Sequence, residues 1–206
     1  MENTQRNLQF FFQHGLHDHR ITLYLTLHSK CKVSIPKSSQ IIVRKRKNKG
    51  FDFGAHLDLW NKIHLEKYTY FVMMNDSCLG PFVKDKKSQY LNKFIRHIDD
   101  KCLLVGTMGI NWAYGYFLLT NQSGIKIIRS QLNKFVKKTM GIHTYKQAVE
   151  CEKLISSGIV NKGFTFTSLV RKSWNKRHTP WQVIFVKENK IKNVLGIIAV
   201  MLLIKS

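Results

Sequence analysis

Residues 68–82, YTYFVMMNDSCLGPF, join an apolar run to a polar turn. The run at 70–74 contains aromatic and β-branched side chains and is followed at once by the polar triplet at 75–77. Such a run, closed by polar residues and a Gly-Pro turn signal, predicts a buried strand. Ligands gather at the carboxyl ends of strands in open α/β sheets, where the Asp76 carboxylate is placed to hold a divalent cation against phosphates. The alternative is ordinary turn chemistry, to which Asn, Asp and Ser are all suited.

Two strands and a helix are predicted before this segment. Residues 21–27, ITLYLTL, alternate and are rich in β-branched side chains, and a second strand begins at 41–43. Residues 52–65 carry apolar side chains at helical spacing, with Asp52 as the expected N-cap. The strand–helix–strand order predicts a right-handed parallel crossover.

The turn between the second strand and this helix has the character of an anion site. It contains the basic run RKRKNK at 44–49 and the sequence NKGFDFGA at 48–55. Gly50 and Gly54 allow close backbone approach or unusual dihedral angles, and a helix N-terminus attracts anions. The spacing fits neither a Walker A nor a G-x-G-x-x-G motif. The cations Arg44, Lys45, Arg46 and Lys49 are candidates to meet a diphosphate, and a solvated loop is the alternative.

The rest of the chain alternates between strand and helix patterns. Further predicted strands or apolar segments are 101–110, 113–120, 164–170 and 182–187, and further helices are 90–97, 123–137 and 144–157. With no internal repeat or linker, the sequence predicts one α/β domain over residues 1–193, with a Rossmann-like, mostly parallel central sheet flanked by helices. The apolar run VLGIIAVMLLI at 194–204 is predicted to be a buried terminal helix or strand, and a peripheral membrane contact is the minor alternative.

The composition is strongly basic. Thirty-four Lys and Arg against twelve Asp and Glu give a formal charge of +22, which suits polyanions, anionic membranes or phosphorylated ligands without choosing among them. The four cysteines are widely spaced, without a C-x-x-C pair, so we expect free thiols in a reducing compartment. The N-terminal sequence lacks the pattern of a signal peptide, and a cytoplasmic location is expected, in the host cell if the chain is viral.

Several segments together resemble a known family. In chain order these are NKGFDFGA at 48–55, YFVMMNDS at 70–77 with GPF at 80–82, LVGT at 104–107, Cys151-Glu152, Gly163-Phe164 and PWQVIFVK at 180–187. The set is similar to nucleotide-sugar glycosyltransferases of the GT-A fold, a group that includes rhamnan-synthesis-type bacterial enzymes and the glycosyltransferase domain of chlorovirus-type capsid-glycosylating proteins. The resemblance covers approximately residues 8–190.

This resemblance implies transfer of a sugar, such as the deoxyhexose rhamnose, from a UDP- or dTDP-sugar to a hydroxyl of a glycan or glycoprotein. Asp76 takes the place of the metal-binding carboxylate and would hold Mn²⁺ or Mg²⁺ at the diphosphate, and Glu152 would act toward the acceptor hydroxyl. The implied donor-binding residues are Asn48, Lys49, Gly50, Asp52, Gly54, Asn75 and Ser77.

The sequence departs from the family at three places. Residues 75–77 carry one carboxylate where the usual motif has two, residues 111–116 replace a longer segment that contains a His, and Gln182 stands where an acid is expected. These departures leave open a non-catalytic, sugar-binding relative. A basic nucleic-acid-binding module is a further, less favoured alternative, because the chain lacks any recognisable nucleic-acid-binding signature.

Overall fold

A computed structural model of the chain describes residues 2–28, 34–47, 49–75, 77–82, 89–109, 111–170, 186–187 and 197–205. Two of the predicted site residues, Asn48 and Asp76, lie outside these ranges. The predicted apolar segment 182–187 is described only at its last two residues.

The described chain alternates between helices and strands. The helices are α1 (Glu2–His14), α2 (Phe51–Trp60), α3 (Asn92–Ile95), α4 (Gln122–Thr139) and α5 (Tyr145–Val160), with one 3₁₀ turn at Leu65–Lys67. The strands are β1 (Ile21–His28), β2 (Ile41–Arg46), β3 (Tyr70–Met74), β4 (Cys78–Leu79), β5 (Cys102–Met108), β6 (Phe117–Asn121), β7 (Thr165–Val170), β8 (Val186–Lys187) and β9 (Ile197–Ile204).

Seven strands form one mixed sheet in the order β2-β1-β9-β3-β6-β5-β7, and β4 pairs with β8 in a separate two-stranded sheet. Only the β1–β2 and β5–β7 pairs are parallel, and the other four neighbouring pairs of the large sheet are antiparallel. The prediction of an α/β fold is confirmed, whereas a mostly parallel sheet is not. The reason is that β6 and β9 run against the other five strands and separate them.

The apolar tail forms an interior strand of the sheet, between β1 and β3. In β9, Leu202 pairs with Leu23 of β1 on one side and with Val72 of β3 on the other. Leu202 and Leu203 are fully buried, one toward each face. A strand that is covered on both faces needs apolar side chains at successive positions, which explains the continuous apolar run.

The sheet has an apolar layer on each face. Along β3, Val72 and Met74 join a cluster with α1 and the α3 region, whereas Phe71 and Met73 join a second cluster with α2, α4 and α5. This alternation follows from the two-residue period of a strand. The helices therefore lie on both sides of the sheet.

The helix predictions were accurate for the longer elements. Helices α4 and α5 match the predicted patterns, and α5 begins with a capping box in which Thr144 and Gln147 satisfy each other's backbone N–H groups. The helix predicted at 52–65 ends at Trp60, and the one predicted at 90–97 is a single turn, α3. Within the described ranges, no helix combines the length and apolar character needed to cross a bilayer.

Candidate functional site

The turn from β2 into α2 is tightly folded. Gly50, the N-cap, and Phe51 both have positive φ values, 88° and 54°, and no side chain caps the helix. A Cβ on Gly54 would lie 2.8 Å from the carbonyl oxygen of Lys49, so the backbone approach there requires glycine. Arg46 Nη2 donates to the same carbonyl at 2.8 Å. The N-cap residue therefore offers no side chain to the first N–H groups of α2.

Asp52 connects this turn to the end of β3. Its Oδ1 accepts from the backbone N–H of Phe53 at 3.1 Å, and its Oδ2 accepts from Asn75 Nδ2 at 3.1 Å. Asn75 Oδ1 in turn accepts from the backbone N–H and the hydroxyl of Ser77, at 3.1 and 2.5 Å. The prediction that Asp52 is the N-cap is wrong, because Gly50 holds that position and Asp52 lies in the first turn. Its carboxylate is thereby directed toward Asn75.

Glu152 reaches the same region from α5. Its Oε1 accepts from the backbone N–H of Gly115 at 3.2 Å. The next residue, Tyr116, accepts from the backbone N–H of Asn75 through its carbonyl oxygen at 3.3 Å. A Cβ on Gly115 would lie 2.7 Å from Glu152 Oε1 and 3.0 Å from Phe53 Cζ. Residues 113–116 therefore link α5, α2 and the end of β3.

The carboxylates of Asp52 and Glu152 share an electrostatic neighbour. Burial raises the pKa of the Cys151 thiol to about 12, with further contributions from the charges of Asp52, Glu150 and Glu152. A thiol with so high a pKa stays protonated at neutral pH, so Cys151 is a packing residue. Because the charge of Asp52 on α2 acts on this thiol, Asp52 lies in the same region of the fold as Cys151 and its neighbour Glu152 on α5.

Two of the predicted diphosphate-binding cations already contact protein groups. Arg44 Nη2 lies 3.3 Å from Asp58 Oδ2 on α2. Burial lowers the pKa of Arg46, opposed by the charge of Asp58, and its guanidinium supports the Lys49 carbonyl. The side chain of Lys49 is exposed at the turn. Lys45, on β2, is exposed as well, and Lys49, which precedes the N-cap of α2, is the cation best placed to meet an anion at the start of that helix.

His56, one helical turn after Asp52, was missed by sequence analysis. It is 2% exposed, its ring stacks on Trp60 with centroids 6.0 Å apart, and Phe53 contacts its edge. Burial lowers the pKa of His56 to about 3, so the ring is neutral at physiological pH. Its place on the apolar face of α2 was the available signal, and it marks a core residue beneath the site.

The small sheet brings the last segment of the family resemblance back to the polar turn. Cys78 pairs with Lys187 and Leu79 with Val186 in antiparallel register. Cys78 follows Ser77 directly and its N–H donates to the Asn75 carbonyl at 3.1 Å. Two segments more than one hundred residues apart in sequence therefore meet beside residues 75–77.

The described residues contain no group of three or more His, Cys, Asp and Glu side chains that could hold a metal ion. Asp76, the predicted metal ligand, is not among them, so the metal prediction remains a prediction. The described part joins Asp52, Asn75 and Ser77 by hydrogen bonds at the carboxyl ends of β2 and β3, and Glu152 contacts Gly115, whose neighbour Tyr116 accepts from the backbone N–H of Asn75. Carboxylate and amide groups in this arrangement suit hydrogen bonding to hydroxyl groups, and the uncapped start of α2 suits an anion.

Comparisons with protein-family models, curated proteins and solved structures found no match to this chain.

Proposed function

We propose that this protein is a glycosyltransferase of GT-A-like fold that moves a sugar from a nucleoside-diphosphate donor to an acceptor hydroxyl. The observation that carries the proposal is the hydrogen bond between Asn75 Nδ2 and Asp52 Oδ2. It joins the two sequence segments on which the family resemblance most depends, although the two residues lie 23 positions apart.

The donor fits the turn between β2 and α2. Its diphosphate would lie at the uncapped N-terminus of α2, where backbone N–H groups and the helix dipole favour negative charge. Lys49 supplies a nearby exposed cation. The Asp52 carboxylate, fixed by Asn75, is positioned to accept hydrogen bonds from ribose or sugar hydroxyls.

The acceptor fits the side of Glu152. In glycosyl transfer with inversion, a base removes the proton of the attacking hydroxyl, and a carboxylate can do so. The hydrogen bond from Gly115 fixes the orientation of Glu152 Oε1. Glu152 is therefore the proposed general base, and Gly115 is a positioning residue.

A divalent cation would be held by Asp76 together with donor phosphate oxygens, and would supply charge neutralisation at the leaving diphosphate. Asn75 and Ser77 beside it bring one amide and one hydroxyl, and the oxygen of that amide is already bonded to Ser77. This donor set is weaker than a pair of carboxylates. We therefore expect Mn²⁺ or Mg²⁺ to enhance donor binding without being required for folding.

Donor binding is tested by thermal denaturation with a panel of nucleoside diphosphates and UDP- and dTDP-sugars, with and without Mn²⁺. A ligand at about 100 times its Kd stabilises the native state by about 2.7 kcal/mol, which gives a readily measured rise in Tm. The variants are Asp52→Asn and Asp76→Asn, and the control is Asp100→Asn, an exposed acid just before β5. Stabilisation by a nucleotide sugar that both site variants reduce, and the control retains, supports the proposal.

Transfer is tested by release of nucleoside diphosphate from the donor that binds. Glu152→Gln should abolish transfer and preserve donor-induced stabilisation, whereas Glu150→Gln, two residues away on the same helix, should preserve both. Binding without transfer by the unmodified protein, to any of a range of glycan acceptors, would favour a non-catalytic sugar-binding protein. The absence of any nucleotide effect, combined with salt-sensitive binding to random oligonucleotides, would overturn the proposal in favour of a nucleic-acid-binding module.

A further inference from the structure

Helix α4 carries an all-cationic set of charges. Its eighteen residues include five basic side chains and no Asp or Glu, namely Lys126, Arg129, Lys134, Lys137 and Lys138. The four lysines are exposed, whereas Arg129 is half-buried and donates to Asn61 Oδ1 at 2.8 Å. Like charges four positions apart, such as Lys134 and Lys138, destabilise a helix slightly. The positive charges on the exposed face of α4 therefore do not stabilise the helix itself.

The turn that follows α4 exposes two large side chains with apolar surface. Met140 is 88% exposed and Tyr145 is 73% exposed. Met140 holds a positive φ of 55°, and Ile142 between them is only 3% exposed. The buried side chain of Ile142 anchors this turn to the core. The turn therefore holds the exposed side chains of Met140 and Tyr145 in place. We call residues 140–145 the α4–α5 tip.

The α4–α5 tip lies at the same edge of the sheet as the candidate site. Helix α4 begins where β6 ends, beside the start of β5, and runs back toward the carboxyl ends of β3 and β5. Tyr145 opens α5 seven residues before Glu152, a distance of about 10 Å along the helix axis at 1.5 Å per residue. A surface that binds the tip would therefore lie close to the proposed acceptor side.

We propose that the α4–α5 tip and the basic face of α4 dock on an anionic lipid bilayer. Lysines near a negatively charged membrane surface are attracted to it, and tyrosine is favoured at the level of the lipid headgroups. Met140 decides between a membrane and a nucleic acid, because an exposed thioether gains from acyl chains and offers no charge to a phosphate backbone. The inference does not depend on the proposed transferase activity.

The test is sedimentation of the full-length protein with vesicles of phosphatidylcholine containing about 30% phosphatidylserine, and with vesicles of phosphatidylcholine alone. The tip variant is Met140→Ser/Tyr145→Ser, and its control is Val160→Ser, which alters a 50% exposed side chain at the opposite end of α5. The charge variant is Lys134→Gln/Lys137→Gln/Lys138→Gln. Its control, Lys93→Gln/Arg96→Gln/Lys101→Gln, removes three exposed cations at the opposite edge of the sheet.

Binding is expected only to the vesicles that contain phosphatidylserine. Each lysine near such a surface contributes about 1 kcal/mol, so the charge variant should bind on the order of a hundredfold more weakly. The tip variant should bind about tenfold more weakly, and both controls should bind like the unmodified protein. All of these side chains except Arg96 and Lys101 lie on described helices or the tip, and all are exposed, so the variants should retain the thermal stability of the parent.

Four results would overturn the inference. The first is a lack of binding to phosphatidylserine vesicles. The second is equal loss of binding in the charge variant and its control, which would show a response to net charge alone. The third is unchanged vesicle binding by the tip variant, which would exclude insertion of the tip. The fourth is a charge variant that binds vesicles like the unmodified protein but binds a random-sequence DNA 30-mer more weakly, which would mean that the basic face of α4 binds nucleic acid.

Discussion

Replacing His56 with phenylalanine should make the folded protein less sensitive to acid. The ring of His56 is buried between Phe53 and Trp60, and its Nδ1 has no hydrogen-bond partner within the described structure. A protonated imidazole at this position would be a buried charge without compensation. Phenylalanine keeps an aromatic ring in the stack and removes the titration.

The sign and size of the effect follow from the two pKa values of His56. Burial lowers its pKa to about 3 in the folded protein, against 6.5 in an unfolded chain. Between these pH values the unfolded chain binds more protons than the folded protein does. The free energy of unfolding is therefore highest above pH 6.5, where His56 is neutral in both states, and decreases as the pH falls below 6.5. At pH 5, about 1.5 pH units below the unfolded value, the loss is about 2 kcal/mol at 1.36 kcal/mol per unit.

The measurement is urea denaturation of the parent and of His56→Phe at pH 8 and pH 5. The free energy of unfolding should fall between these pH values by about 2 kcal/mol more in the parent than in the variant. His97→Phe, which alters an exposed histidine, is the matched control and should keep the parent's pH dependence. Equal pH dependence in the parent and in His56→Phe would refute the reasoning, because it would mean that the ring is protonated, or solvated, in the folded state.

Three further substitutions test the packing that supports the site. Gly54→Ala places a Cβ 2.8 Å from the Lys49 carbonyl oxygen and should cost about 1–3 kcal/mol of unfolding free energy; an unchanged denaturation midpoint would mean that the turn can open at no cost. Leu202→Ala truncates a fully buried side chain in β9 and should cost about 2–5 kcal/mol, and a loss below about 1 kcal/mol would contradict the interior position of β9 in the sheet. Thr144→Ala removes the capping box that begins α5 and should cost about 1 kcal/mol in thermal or urea denaturation, whereas a neutral result would show that Gln147 caps the helix alone.

Local sequence patterns were enough to predict the elements with strong periodicity. The apolar run at 70–74 gives β3 with the same bounds, because a short run of large apolar residues before a polar turn suits a strand that is buried on both faces. The 3.6-residue spacing in α4 and α5 similarly identifies both helices. The shorter helix α2 ends earlier than predicted, because apolar spacing beyond Trp60 continues into the 3₁₀ turn at Leu65–Lys67.

Strand direction and order were beyond the reach of these patterns. The sequence of an apolar strand that is buried on both faces does not indicate which strands it pairs with, or in which direction. The apolar run at 194–204 therefore predicted that this segment is buried, but not its position in the sheet. The pairing of β9 with both β1 and β3 shows how this strand interrupts the parallel arrangement.

The residues of the candidate site also differ in how well the sequence predicted them. Asp52 and Asn75 both follow strands, and the family resemblance assigned both to the donor site, which agrees with the hydrogen bond between them. Gly115 was missed because it contributes only a backbone N–H and the space left by its missing side chain. A pattern of residue types reveals neither of these. Its partner Glu152 lies 37 positions away, and the family resemblance, rather than any local pattern, singled out that carboxylate.

The tail also supports the site directly. Trp60 Nε1 donates to the sulfur of Met201 at 3.2 Å, which ties the end of α2 to β9. Asp52 lies in the first turn of the same helix. Asn75 follows β3, and β3 pairs directly with β9. The distance between Asp52 and Asn75 is therefore set by how α2 and β3 are each held on β9. A segment that the sequence presents as an apolar appendage is thus the element on which the two halves of the candidate site are aligned.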